Sequence, residues 1–104
     1  MAQHPPNMRV GVAWYAENEW QSLRDSAADP DVLEPTYHEW MQVAEKGLRD
    51  LAAAGVVPER VEVRVADLRA WCLKHHRRLD GTARSEFAAA LLQSRYEGTT
   101  GGGA

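Results

Sequence analysis

Residues 8–15 read Met-Arg-Val-Gly-Val-Ala-Trp-Tyr, with the larger apolar side chains at the even positions. An alternation with a period of two, rich in β-branched and aromatic residues, predicts a strand that buries one face. Residues 60–65, Arg-Val-Glu-Val-Arg-Val, alternate in the same way. The sequence therefore predicts two half-buried strands and leaves open whether they pair in parallel or antiparallel.

Two helices are predicted between these strands. The first begins after Asn18, an N-cap residue, and ends before Pro30. The second begins after Thr36, which stands three residues before Glu39 as in a capping box. It carries one apolar stripe up to Gly55, a residue typical of helix C-termini.

Two further helices are predicted after the second strand. Asp67 is placed to cap the third, and the fourth runs from about Thr82 to Tyr96 with Gly98 as its stop. The order strand, helix, helix, strand, helix, helix predicts an α+β fold. In it, about four helices pack on one face of a two-stranded sheet, because so small a sheet needs covering in water.

The chain is short enough to be a single domain, which we place at residues 8–97. Residues 1–7 contain two prolines and no apolar periodicity, and they are predicted to form a flexible arm. Residues 98–104 are mostly glycine and threonine and are predicted to form a flexible tail.

Composition restricts the class of protein. No apolar run is long enough to span a membrane, and the first residues lack the basic and apolar segments of a secretion signal. Cys72 is the single cysteine, so an internal disulfide is excluded and a cytoplasmic location is predicted. An isoelectric point near 5.8 argues against general nucleic-acid coating.

Charge is divided by position along the chain. Residues 1–59 carry four Lys or Arg against ten Asp or Glu, whereas residues 60–95 carry eight against four. Such a division indicates either a charged partner or two complementary halves. The basic residues that we predict to bind a partner are Arg69, Lys74, Arg77, Arg78 and Arg84.

Aromatic residues give a second candidate surface. Four tryptophans are many for 104 residues, and we expect one or two to stay partly exposed. Trp14 and Tyr15, at the end of the first strand, are the preferred candidates, because exposed Trp and Tyr are common in binding surfaces.

Cys72, His75 and His76 are the only clustered residues of metal-ligating types at helical spacing. A zinc site needs three or four ligands, and no matching second pair occurs, so neither a metal nor a cofactor is predicted. A small enzyme of unknown class, with a site around His38 or around Cys72 and His76, remains an alternative.

Nucleic-acid binding is a further alternative. The last two helices, joined by residues 77–81, have the spacing of a helix-turn-helix motif and would present Thr82, Arg84 and Ser85 to base edges. Asp80 and Glu86 flank those residues and disfavour contact with phosphates.

The run Pro-Thr-Tyr-His-Glu-Trp at 35–40, the run Arg-Ala-Trp-Cys at 69–72 and the segment 80–87 resemble a pattern of small uncharacterised bacterial proteins. The resemblance covers most of residues 9–92, including the Trp-Tyr pair that ends the first strand. It implies a compact bacterial cytosolic protein and no particular activity.

Together these observations predict a non-enzymatic interaction or regulatory module that binds a protein partner. A two-stranded sheet leaves both edges open, which also predicts a homodimer through a shared sheet.

Overall fold

The computed structural model describes residues 8–103, with side chains described as far as Tyr96. The predicted arm at residues 1–7 lies outside this range. The described part contains two strands and four α-helices, which confirms the predicted α+β fold class and element order. They are β1 (Arg9–Trp14), α1 (Trp20–Ser26), α2 (Tyr37–Ala53), β2 (Val57–Glu62), α3 (Val65–Lys74) and α4 (Gly81–Gly103).

The helix α2 begins and ends as its sequence predicts. Thr36 Oγ1 accepts a hydrogen bond from the backbone N–H of Glu39 at 3.1 Å, which satisfies one donor of the first turn. At the other end, the N–H of Val56 donates to the carbonyl of Leu51, and Gly55 takes a φ of +96°. This left-handed conformation is the usual C-terminal closure of a helix, and it turns the chain into β2.

The strands β1 and β2 pair in parallel, from Arg9 beside Val57 to Trp14 beside Glu62. β2 therefore begins and ends three residues earlier than the predicted segment 60–65. Its predicted last residue, Val65, instead begins α3, and its N–H donates to Glu19 Oε1 at 2.7 Å. A side chain from the turn before α1 thus caps α3, an interaction across 46 residues that no local pattern reveals.

The helices contact both faces of the sheet, whereas the sequence predicted that they cover one face. The register places Ala13 beside Val61, and Val61 packs with Ala88 and Leu92 of α4. Consecutive side chains of a strand point to opposite faces, so Trp14 lies on the other face, where its ring centroid is 5.1 Å from that of Trp40 in α2. The face under α4 is thus the small-residue side of β1, not the side with the larger apolar residues.

Gly11 makes the close approach of α4 possible. A Cβ atom at this position would lie 3.2 Å from the carbonyl oxygen of Ala88 and 3.3 Å from side-chain atoms of Leu92 and Val61. Any larger side chain must push the helix away from the sheet. Gly11 therefore sets the distance between α4 and β1.

The main core lies where β1 ends. Tyr15, Trp20 and Trp40 are buried there, with ring centroids 5.3–6.2 Å apart. Trp20 Nε1 donates to the carbonyl of Glu34 at 3.2 Å, so its polar group is satisfied in the core. These contacts join α1 and α2 to the end of the strand.

The predicted end of the last helix at Gly98 is wrong, because α4 continues to Gly103. Glycine permits a left-handed helix stop but does not impose one. The flexibility of residues 98–104 stays a prediction. Within the described residues, no helix is long and apolar enough to cross a membrane.

Gly11 and Gly47 differ in their surroundings, so substitutions at the two positions test the contact between β1 and α4. We expect Gly11→Val to destabilise the fold by about 1–3 kcal/mol, because it overpacks the contact with α4. Gly47→Ala is the matched control, because Gly47 sits inside α2 and a Cβ there would meet no described neighbour within 4 Å. It should stabilise the fold by up to about 1 kcal/mol through helix propensity. Urea unfolding of both variants measures this, and equal effects would contradict the proposed contact.

Candidate functional site

In the part of the chain that the structure describes, the backbone of β1 has one edge that faces no other strand. The carbonyls of Met8 and Trp14 accept hydrogen bonds from β2 and the residue that follows it, namely from the N–H groups of Val57 at 2.8 Å and Val63 at 2.9 Å. Backbone polar groups alternate sides along a strand. The N–H and C=O groups of the odd residues 9, 11 and 13 therefore point away from β2. We call this row the free edge of β1.

A groove opens beside this edge. Two cavities of about 390 and 510 Å³ adjoin each other there and share Gly11 and Ser85 in their walls. Ser85, Ala89 and Gln93 form the helix side of the groove, at helical spacing along α4. We call it the β1–α4 groove. No hydrogen bond among residues 8–96 occupies the outward backbone groups of Gly11 and Ala13.

The two ends of the groove differ in chemistry. At the end near Ala13, the walls include Leu33, Trp40 and Arg84. At the opposite end, the walls include Arg9 and Tyr96. One end is thus mainly aromatic and apolar, and the other combines an aromatic ring with a cation.

Glu59 fixes the Arg9 end of the groove. Its carboxylate accepts hydrogen bonds from Tyr96 Oη and from Arg9 Nη1, the latter at 2.5 Å, and from Arg95 Nη1 at 3.2 Å. These donors, Tyr96 first, hold the pKa of Glu59 below its ordinary value. The cluster ties the far part of α4 to both strands.

The outer edge of β2 has a different character. The same alternation points the backbone polar groups of Pro58, Arg60 and Glu62 away from β1. Proline has no N–H to donate, and the exposed charges of the other two oppose pairing with a further strand. Of the two edges of this sheet, β1 therefore presents the one suited to pairing.

Trp14 and Tyr15 differ in their exposure. Tyr15 is only 4% exposed, so the expectation that it lies on the surface is wrong. It forms part of the groove wall near Trp40, but its hydroxyl is buried and has no partner among the described residues. Burial raises the pKa of Tyr15 to about 12, against an opposing effect of Arg84. Trp14 is half-buried, between Trp40 and the guanidinium of Arg60, 4.5 Å from its ring centroid.

Arg84 is not part of an open basic surface. It is 9% exposed and donates to both oxygens of Asp29, at 2.8 and 3.1 Å. The backbone N–H of Gly81 also donates to Asp29, at 2.9 Å. These hydrogen bonds, with Arg84 the main donor, hold the pKa of Asp29 below its ordinary value. The pair joins the loop before α2 to the start of α4.

The other predicted basic residues differ in their exposure and in whether a carboxylate pairs with them. Arg77 forms an ion pair with Glu86, and its guanidinium lies 5.7 Å from the ring centroid of Trp71. The other three have exposed side chains, namely Arg69, Lys74 and Arg78. Arg69 and Arg77 border a smaller cavity of about 200 Å³, separate from the groove. Two of the five predicted cations, Arg77 and Arg84, are thus matched by carboxylates.

Cys72, His75 and His76 lie in different surroundings. Cys72 is 4% exposed, and burial raises the pKa of its thiol, which disfavours a reactive thiolate. His75 packs on Trp71, with ring centroids 4.7 Å apart. His76 takes a φ of 56° where α3 ends. In the described part of the chain, no three His, Cys, Asp or Glu residues gather as a metal site would require.

His38, the other residue of the enzyme alternative, is exposed on α2. Its Nε2 lies 3.4 Å from Gln42 Nε2, one helical turn further on. This contact is local to the helix, and the enzyme alternative stays a prediction.

No family model, curated protein or solved structure matches this chain. The resemblance to small bacterial proteins therefore stays a prediction.

Sequence reasoning missed the groove. A signal for it was present, because glycine inside a strand often marks a close backbone approach, and Gly11 is such a residue. The sequence of α4 gives no comparable signal, because serine and alanine, which stand at 85 and 89, are common on any exposed helix face.

Asp29 and Arg84 form an ion pair whose contribution to stability should depend on pH. Asp29→Asn should destabilise the protein by about 2 kcal/mol at neutral pH, because a nearly buried guanidinium loses its charged partner. Since the pKa of Asp29 is lowered in the folded state, its contribution is complete above the ordinary value, about 3.9, and is lost as the pH falls below it. The difference in free energy of unfolding between the wild type and Asp29→Asn, measured with urea, should therefore shrink as the pH falls below about 3.9.

The matched control is Asp50→Asn, which removes the exposed pair with Lys46. Exposed pairs contribute little, so this variant should change stability by less than about 0.5 kcal/mol. A difference for Asp29→Asn that persists unchanged at acid pH would contradict the role given to its charge.

Proposed function

We propose that this chain is a small non-enzymatic interaction module that binds an extended segment of a protein partner at the free edge of β1. The observation that carries the proposal is the row of outward backbone groups at Arg9, Gly11 and Ala13, which opens onto the β1–α4 groove. A partner segment would add to the sheet as a third strand beside β1.

The chemistry of strand addition fits this place. Backbone hydrogen bonds to the edge supply affinity, and alternate side chains of the added strand supply specificity. Those on the α4 side would enter the groove. Leu33 and Trp40 line the groove near Ala13, which favours an apolar residue in that part of the added strand, and the side chain beside Arg9 would meet the aromatic ring of Tyr96.

The charges support a protein partner over a nucleic acid. Arg77 and Arg84 are paired with Glu86 and Asp29, and the chain has a formal net charge of −3. Nucleic-acid affinity depends mostly on cations that neutralise phosphates. The exposed residues Arg69, Lys74 and Arg78 remain candidates for an acidic patch on a protein partner. A cytoplasmic site of action, which the single cysteine favours, belongs to the same proposal.

Peptides selected from a random library displayed on phage test the binding surface. Selected peptides should shift the amide signals of Arg9, Gly11 and Ala13 in two-dimensional NMR spectra of the labelled protein. Ala89→Glu should weaken binding by at least about tenfold, or ~1.4 kcal/mol, because it places a charge in the groove.

Ala90→Glu is the matched control, since it makes the same change at the next exposed residue of α4, outside the groove walls. It should leave peptide affinity within about twofold, because distant surface changes are nearly neutral. Equal binding of the peptides to both variants would refute the proposal. So would peptides that shift the amide signals of Arg69 and Lys74 in place of those of β1.

A further inference from the structure

We infer that the segment that occupies the free edge of β1 is β1 of a second copy of this chain. This inference rests on the proposed function and names its partner. Two copies would pair antiparallel about a twofold axis near Gly11. The result is a single four-stranded sheet with strand order β2-β1-β1-β2.

The backbone geometry is self-complementary. In an antiparallel pair, residues whose polar groups point toward the partner lie opposite each other and exchange hydrogen bonds. The outward residues of β1 are 9, 11 and 13, spaced symmetrically about Gly11. With Gly11 opposite Gly11 of the second copy, Arg9 lies opposite Ala13 of that copy, and Ala13 opposite its Arg9. Every outward group of the strand then has a partner.

The charges at the two ends of the edge favour the same arrangement. Arg9 stands at one end, where its guanidinium contacts Glu59 and its side chain stays 43% exposed. At the other end, Leu33 lines the groove, and its neighbours include the exposed Asp31 and the half-buried Glu34. The antiparallel arrangement brings each cationic end toward the acidic end of the other copy. It also keeps the two Arg9 side chains apart, since each faces an alanine.

The helices allow two copies to approach. A twofold axis perpendicular to the sheet places both α4 helices on the same face, side by side across the axis. The residues of α4 that border the groove include Ser85 and Ala89, both small and exposed, beside the larger Leu92 and Gln93. Small contact residues let helices pack at the short end of the usual range of about 8–10 Å. The two helix flanks would thus close over the joined strands.

The experiment is sedimentation equilibrium of the full chain from about 1 µM to about 1 mM, a range that covers moderate protein affinities. We expect a concentration-dependent dimer. Ala89→Glu should raise the dimer dissociation constant at least about tenfold, because each copy brings a carboxylate into the groove. Ala90→Glu should leave it within about twofold, because its side chain lies outside the groove walls, and circular dichroism checks that both variants fold.

Hydrogen exchange locates the contact. On dimer formation, the amides of Gly11 and Ala13 should become protected at high protein concentration and exchange quickly on dilution. A dimer equally stable in both variants, or one without protection at these amides, overturns the inference by placing the contact elsewhere.

The outcome also separates this inference from the proposed function. A chain that stays monomeric at every concentration, while selected peptides still bind at the free edge, overturns the second copy as occupant and leaves strand addition intact. A monomer that binds no peptide at that edge overturns both.

Discussion

The parallel register between β1 and β2 is the constraint on which the rest of the structure depends. Because Ala13 lies beside Val61, the small residues of β1 and the buried valine of β2 share one face. α4 can then approach until the carbonyl of Ala88 lies 3.2 Å from where a Cβ of Gly11 would be. The same register leaves the odd backbone groups of β1 without a strand partner among residues 8–103. Close helix packing and the open edge thus have one cause.

Side-chain links far apart in sequence hold the layers around this sheet. Asp29 joins the loop before α2 to Arg84 and to the first residue of α4, and Glu59 joins β2 to Arg9 and Tyr96. Both are carboxylates that accept several donors, and in both the pKa is lowered because hydrogen bonds favour the charged form. They lie near opposite ends of the groove, so α4 is held at both ends of the groove that it borders.

Local patterns in the sequence predicted the elements better than their arrangement. The capping residue Thr36 and the turn residue Gly55 marked α2 because their interactions are made within a few residues. The start of α3 depends on Glu19, which is distant in sequence, and the predicted second strand was therefore placed three residues late. Tyrosine is a residue type common at interfaces, but packing against Trp20 and Trp40 buries Tyr15. The groove arises only when β1 and α4 come together, so no single segment predicts it.

The odd residues of β1 direct their backbone groups away from β2, and the free edge depends on this orientation. Scalar couplings across hydrogen bonds, measured by NMR on a labelled sample, identify each donor and acceptor directly. The structure predicts couplings from the amide of Val57 to the carbonyl of Met8 and from the amide of Val63 to the carbonyl of Trp14. A coupling from the amide of Gly11 or Ala13 to a carbonyl of β2 would contradict this orientation, since the free edge would then lie on the other side of the strand.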